Sequence, residues 1–198
     1  MNTLTIAVRT ERGVGLGPSR RSGNEVGAAV AATIFPTELG WMGIAGRNEA
    51  LVGIVFGYPS EERAQRVLAS RAAGHASSTA APVWLREVAN LLERYAAGES
   101  VDFSEVPLEL EHLTPFARRI VAACRDIPRG DVRTYGELAA ACGSPGAARA
   151  VGSVMAKNRY PLVMPCHRVV GAAGSLGGYS APEGLRMKRR LLAMEQQD

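Results

Sequence analysis

At 198 residues, with 46% apolar side chains, the chain can form one large or two small domains and a core that needs no staples. No apolar run approaches a membrane span, and the first residues lack the basic and apolar segments of a secretory signal, so the reading is a cytoplasmic protein without membrane contact. The net charge of +4 is unevenly spread: residues 1–111 carry −3 and residues 112–198 carry +7, which suits a second half that meets a polyanion or simply has a basic solvated face. Three cysteines, Cys124, Cys142 and Cys166, cannot all pair, and their spacing matches no zinc pattern. A reduced environment follows, with no metal and no cofactor expected.

In chain order, residues 1–27 are rich in Gly, Arg and Ser and are expected to form a flexible tail, with a short alternating run at Thr3–Val8. Residues 28–35 form an apolar strand that ends at Phe35-Pro36. Trp41–Ala45 and Leu51–Phe56 flank a turn and predict a hairpin. Ser60 caps a helix to about residue 72, and 74–81 is a small-residue linker. Pro82 starts a second helix with Trp84, Val88, Leu91, Leu92 and Tyr95 on one face. Val101–Phe103 and Val106–Leu110 are expected as short strands before a boundary near residue 112, which separates domains at 28–111 and 112–198.

The second half has sharper punctuation. Thr114-Pro115 is an N-cap with proline at the first helical position. Thr134 and Glu137 form a T-x-x-E capping box before a helix that stops at Gly143. Ser144-Pro145 is expected to start the next helix, which carries Arg149 among Ala147, Ala148, Ala150 and Gly152. Two short helices across a glycine-containing turn suit either a helix-turn-helix or an ordinary packed pair. The apolar run Leu162-Val163-Met164 predicts a strand leading into Pro165-Cys166-His167-Arg168-Val169. A cysteine beside a histidine there is a candidate nucleophile, and a buried structural thiol is the bland alternative. A last helix is expected from Pro182 to Gln196, with Lys188, Leu191, Leu192 and Glu195 on one stripe. Those charges either snorkel to water or, for Glu195, point inward to hold a partner such as His167.

Together these pieces resemble the O6-alkylguanine-DNA alkyltransferase family. The match runs from Thr114 to Glu195 through Ile127-Pro128-x-Gly130, Thr134-Tyr135-Gly136-Glu137-Leu138-Ala139, Ala148-Arg149-Ala150-Val151-Gly152, Asn158, Pro165-Cys166-His167-Arg168-Val169-Val170 and Gly177-Gly178-Tyr179. The first half is similar only through Pro36-Thr37-x-Leu39-Gly40 and the hairpin after it. The resemblance implies an α+β fold: a small ribonuclease-H-like domain with an antiparallel sheet, then a mostly helical winged helix-turn-helix-like domain. It implies transfer of an alkyl group from guanine O6 in double-stranded DNA to Cys166, irreversibly and once per molecule. His167 would act through a water as the base, with Glu195 orienting it. Tyr135 would donate to the guanine ring nitrogen and Ser180, with backbone near Tyr179, to O6. Arg149 would replace the flipped base from the minor groove, Asn158 would hold the turn before the active site, Pro161 and Tyr179 would wall the alkyl pocket, and Lys188 would support the Cys166 region. A monomer is expected, with cooperative binding along DNA open.

The chain departs from the family pattern at Ala117, where Gln is usual, at Arg129 and at Arg159. It also expands the usual Gly-Gly-Leu to Ala181-Pro182-Glu183-Gly184-Leu185, near the pocket. Only His75 and His112 lie in the N-terminal region where some relatives hold zinc, so no ligand set is found there. A non-catalytic lesion sensor lacks the cysteine that this chain has. A direct Cys-His hydrolase is disfavoured because neighbours on a strand face opposite ways.

Overall fold

The computed structural model describes residues 29–72, 76–77 and 81–196. The expected tail at 1–27, its run at Thr3–Val8, and His75 lie outside those residues. Three antiparallel strands, β1 (Val30–Phe35), β2 (Trp41–Arg47) and β3 (Ala50–Tyr58), form a meander, and β4 (Ala76–Ser77) adds to β1 in parallel, giving the order β3-β2-β1-β4. The linker at 74–81 thus contributes an edge strand. The β2–β3 turn places Asn48 and Glu49 at φ of 49° and 59°, the left-handed pair that a two-residue hairpin needs to match strand twist.

Period-two alternation sends the sheet's side chains to two cores. Val30, Ala45, Val52 and Val55 meet Ala64 and Leu68 of helix α1 (Glu61–Arg71), whose first turn is capped by Ser60. Met42, Ile44, Leu51, Ile54 and Phe56 join a larger core with Leu85, Val88, Leu92 and Tyr95 of α2 (Val83–Ala96). That core continues into the second half through Ile120, Leu138, Val151, Met164 and Leu191. One apolar interior therefore spans both halves of the chain, and the helix that carries Tyr95 lies against the segment that carries Cys166.

The strands expected at Val101–Phe103 and Val106–Leu110 are absent. Asp102 instead accepts the Ser104 N–H at 2.8 Å in a local turn. Pro107 has no N–H to give a ladder, so the segment makes one bridge, Leu108 to Leu51, held by Leu51 N to Pro107 O and Glu109 N to Leu51 O, both 2.9 Å.

The second half follows its caps. Thr114 accepts from Ala117 N at 3.2 Å and opens α3 (Pro115–Arg125). Thr134 and Glu137 exchange both capping-box bonds, Glu137 N to Thr134 Oγ1 at 3.1 Å and Thr134 N to Glu137 Oε2 at 2.7 Å, at the start of α4 (Tyr135–Ala141). Two helix starts fall later than expected. Gly146 sits at φ +92°, so Ser144–Ala147 is a turn and α5 runs Ala148–Ala156. Gly184 sits at φ +53°, so α6 runs Leu185–Glu195 rather than from Pro182. The expected strand at 162–164 is also absent: Leu162 takes φ +75°, Met164 N bonds back to Tyr160 O at 2.8 Å, and Cys166–Arg168 is a 3-10 turn. Only after it does β6 (Val169–Val170) pair in parallel with β5 (Arg133–Thr134). The described residues thus form a mixed α and β fold with a three-strand antiparallel sheet and six α-helices.

Candidate active site

A cleft of about 960 Å³ opens between the start of α4, the exposed side of α5 and the loop after β6, with Cys166 among its lining residues. Tyr135, Arg149, Tyr179 and Ser180 line it too. Its walls are low because α5 offers Ala148, Gly152 and Ala156. Gly177 packs against Tyr135: it sits at φ +64°, and a Cβ there would lie 2.9 Å from the phenol oxygen. Burial raises the pKa of the Tyr135 hydroxyl, which keeps it a neutral donor.

Asn158 and Pro161 lie outside that cleft. They border a second cavity of about 20 Å³, room for one water, on another side of Cys166 and Tyr179. Asn158 is tied to the active-site turn. Its Nδ2 donates to Met164 O at 2.9 Å and lies 3.1 Å from Cys166 Sγ, and its Oδ1 accepts from Tyr160 N at 2.8 Å. Cys166 is buried, which pushes its thiol pKa up, while the Asn158 contact and the Lys188 charge pull it back. No hydrogen bond joins Cys166 to His167 among the described residues. The two are neighbours on a tight turn rather than on a strand, and the thiol's polar contact is Asn158.

Beneath the turn lies a closed cluster of charge. Glu195 Oε1 is 2.8 Å from His167 Nε2 and accepts from Tyr95 Oη at 2.5 Å and from one Arg168 terminal nitrogen at 2.9 Å. Glu195 Oε2 accepts from Arg168 Nε at 2.9 Å, and the other Arg168 terminal nitrogen donates to Ile127 O at 2.6 Å. His167 is 0% exposed and Glu195 3%. Burial alone would raise the Glu195 pKa, but the donors from His167, Arg168 and Tyr95 hold the carboxyl well below the usual range, so it stays ionised. Burial lowers the His167 pKa despite the carboxylate, so the ring stays neutral. Its Nδ1 has no protein partner.

Lys188 is 0% exposed as well. Its Nζ donates to Val169 O at 2.6 Å and to Leu176 O, tying both ends of the loop after the active-site turn. Neither charge on the α6 stripe snorkels. Sequence reasoning placed Glu195 against His167 and missed two partners. Arg168 was legible as a base beside the pair, whereas Tyr95 carried only the signal of an apolar helix face. Among the described residues no group of three His, Cys, Asp or Glu could hold a metal, and no helix is long and apolar enough to cross a membrane.

A sequence model described as the DNA binding domain of 6-O-methylguanine DNA methyltransferase matches residues 115–197. The chain is 47% identical over 104 residues to a methylated-DNA–protein-cysteine methyltransferase of Mycolicibacterium paratuberculosis, an alignment covering 52% of this chain and 61% of that protein. With the protein of the same name from Methanosarcina acetivorans it shares 44% over 112 residues, 57% of this chain and 69% of the relative. The crystal structure of the Mycobacterium tuberculosis O6-methylguanine methyltransferase superposes with a TM-score of 0.67 at 34% identity, over 84% of this chain and 93% of that one. The M. tuberculosis OGT in complex with DNA superposes with a TM-score of 0.63 at 29% identity, over 84% and 92%. The chain belongs to the methylated-DNA–protein-cysteine methyltransferase family.

Proposed function

We propose that this protein repairs O6-alkylguanine in double-stranded DNA by taking the alkyl group onto Cys166. The observation that carries the reading is the arrangement of a cleft-lining cysteine above a buried His167–Glu195 pair, facing a small-sided helix with an exposed Arg149. A thiolate suits attack on a saturated carbon. The Sγ–C bond forms as the C–O6 bond breaks, and the electron pair passes to the guanine. The thiol proton leaves through a water to His167 Nδ1, and the guanine takes up one proton, so charge balances. Tyr135 is the donor to the guanine ring, and Ser180 with nearby backbone serves O6. The thioether has no group to remove it, so each molecule acts once.

The lesion is stacked in a duplex and must be flipped out to reach a buried sulfur. Ala148 and Gly152 let α5 approach the minor groove closely, and Arg149 fills the gap. Minor-groove contact carries little sequence information, which suits a search for damage in any context. Tyr179 walls the space for the alkyl substituent, Asn158 holds the turn, and Lys188 the loop, while Pro161 borders the small cavity beside Cys166 rather than the cleft. In this reading 28–111 is a ribonuclease-H-like domain and 112–198 a winged helix-turn-helix acceptor domain, acting as a cytoplasmic monomer.

The test is an intact-mass measurement after mixing with duplex DNA that contains O6-methylguanine. One methyl on the Cys166 peptide is expected, with stoichiometric loss of activity. Cys166→Ala should bind the DNA and gain no adduct. An unmodified wild-type Cys166 sinks the reading.

A further inference from the structure

We infer that Tyr95, supplied by α2 of the first half, is a positioning residue for alkyl transfer that fixes the tautomer and basicity of His167. The inference rests on the function proposed above and adds a residue from a part of the chain that shares little with the acceptor motifs.

The hydrogen-bond inventory assigns the protons. A carboxylate only accepts, so the Tyr95 hydroxyl donates to Glu195 Oε1 at 2.5 Å. With its proton committed, the phenol oxygen turns lone pairs toward His167 Nε2, 3.3 Å away. Nε2 therefore faces two acceptors, Glu195 Oε1 and Tyr95 Oη, and must itself carry a proton. In a neutral imidazole that leaves Nδ1 unprotonated, and Nδ1 is the buried ring atom with no protein partner. It is the atom free to receive the thiol proton.

The phenol is itself held in place. Its ring is 1% exposed, packs against Phe103 at 5.7 Å between centroids, and has the Arg129 guanidinium 5.9 Å from its centre. Burial and the Glu195 charge push its pKa well above the ordinary value, so it remains a donor throughout the working range. The groups facing His167 are Tyr95 from α2, Glu195 and Lys188 from α6, and Arg168 from its own turn. Arg168 neutralises Glu195 through both oxygens, and Tyr95 withdraws further charge from Oε1. Removing that donor leaves Oε1 more negative toward the ring, which favours imidazolium and raises the His167 pKa.

Tyr95→Phe keeps the ring and its packing and deletes only the hydroxyl. The rate of methyl transfer to Cys166 from methylated duplex DNA, followed against pH, should have its acid limb moved upward by about half a unit or more, with a rate fall of about threefold on that limb and a smaller one near neutrality. Affinity for the duplex should match wild type. An unmoved limb, or one moved downward, overturns the inference, because a purely packing role predicts no shift. A measurement on the unmodified protein covers the case in which the variant does not fold. Nitrogen and proton resonances of His167 should report a proton on Nε2, and a slowly exchanging low-field Tyr95 hydroxyl should show contact with that ring. A proton on Nδ1, or no such hydroxyl, overturns the assignment. Failure of wild-type protein to alkylate Cys166 would sink the repair reading instead, and the resonance result would stand separately.

Discussion

The two sides of the Cys166–Arg168 turn are built on opposite principles. The Cys166 side faces a cleft with low walls of glycine and alanine, and the polar atom nearest the sulfur belongs to an amide, Asn158. The other side packs an acid, a guanidinium, an imidazole and a phenol into a buried cluster in which both carboxylate oxygens are hydrogen-bonded. Under the proposed function, the difference teaches that nucleophile and base are stabilised separately. A sulfur that meets a substrate must stay open, so it cannot be wrapped in donors. A histidine that acts as base needs one tautomer and one orientation, which closed and rigid surroundings supply.

Breaking the closed side should therefore be costly for the fold, while breaking the open side should cost only function. The largest effect is expected for Glu195→Gln. It leaves Arg168 buried without its counter-ion, and losses of this kind run to about 3–5 kcal/mol, measurable by urea unfolding. Adding Arg168→Met to that variant should restore part of the loss, since the uncompensated charge goes with it. A double variant no more stable than the single one would mean that Arg168 is not the partner that matters.

Acid should separate the same two sides next. His167 is held neutral with a lowered pKa, so the unfolded chain binds more protons than the folded one below about 6.5, and stability falls as pH drops through that value. Glu195 has a depressed pKa, so its contribution is present above about 4.3 and is lost as pH falls further. Melting temperatures taken from about pH 8 down to about 2 should decline in that order, and Cys166→Ala should not change the profile.

The smallest effect on the fold is expected at the rim of the cleft. Arg149 is exposed. Arg149→Ala should leave the melting temperature within the range of surface substitutions, about 0.5 kcal/mol, while slowing transfer from duplex DNA about tenfold. Transfer from the free alkylated base, which needs no flipping, should be nearly unchanged. Equal slowing on both substrates would move Arg149 from the duplex to the pocket.

What the amino-acid order revealed follows the range of the interaction. Thr134 with Glu137 and Thr114 with Pro115 act within one helical turn, and both caps form as the spacing predicts. The α6 stripe was half legible: a 3.6 period puts Lys188 and Glu195 beside the leucines but does not say whether they snorkel or bury. Helix starts fall later than expected where a glycine takes a left-handed angle, at Gly146 and Gly184, since proline signals a start only if the backbone after it can comply. Tyr95 was not legible as a site residue. Its partner is 100 positions away, and on an apolar helix face a tyrosine looks like core.

Lys188 gives the loop a fixed gauge. One ammonium clasps the carbonyls of Val169 and Leu176, so the seven-step path between them cannot lengthen without releasing a buried charge. The segment Ala181–Glu183, where the family resemblance implies an expansion, comes after that clasp and before α6 begins. Added length there leaves the clasp untouched, and a designer who wants to graft a peptide beside the cleft has the same place to put it.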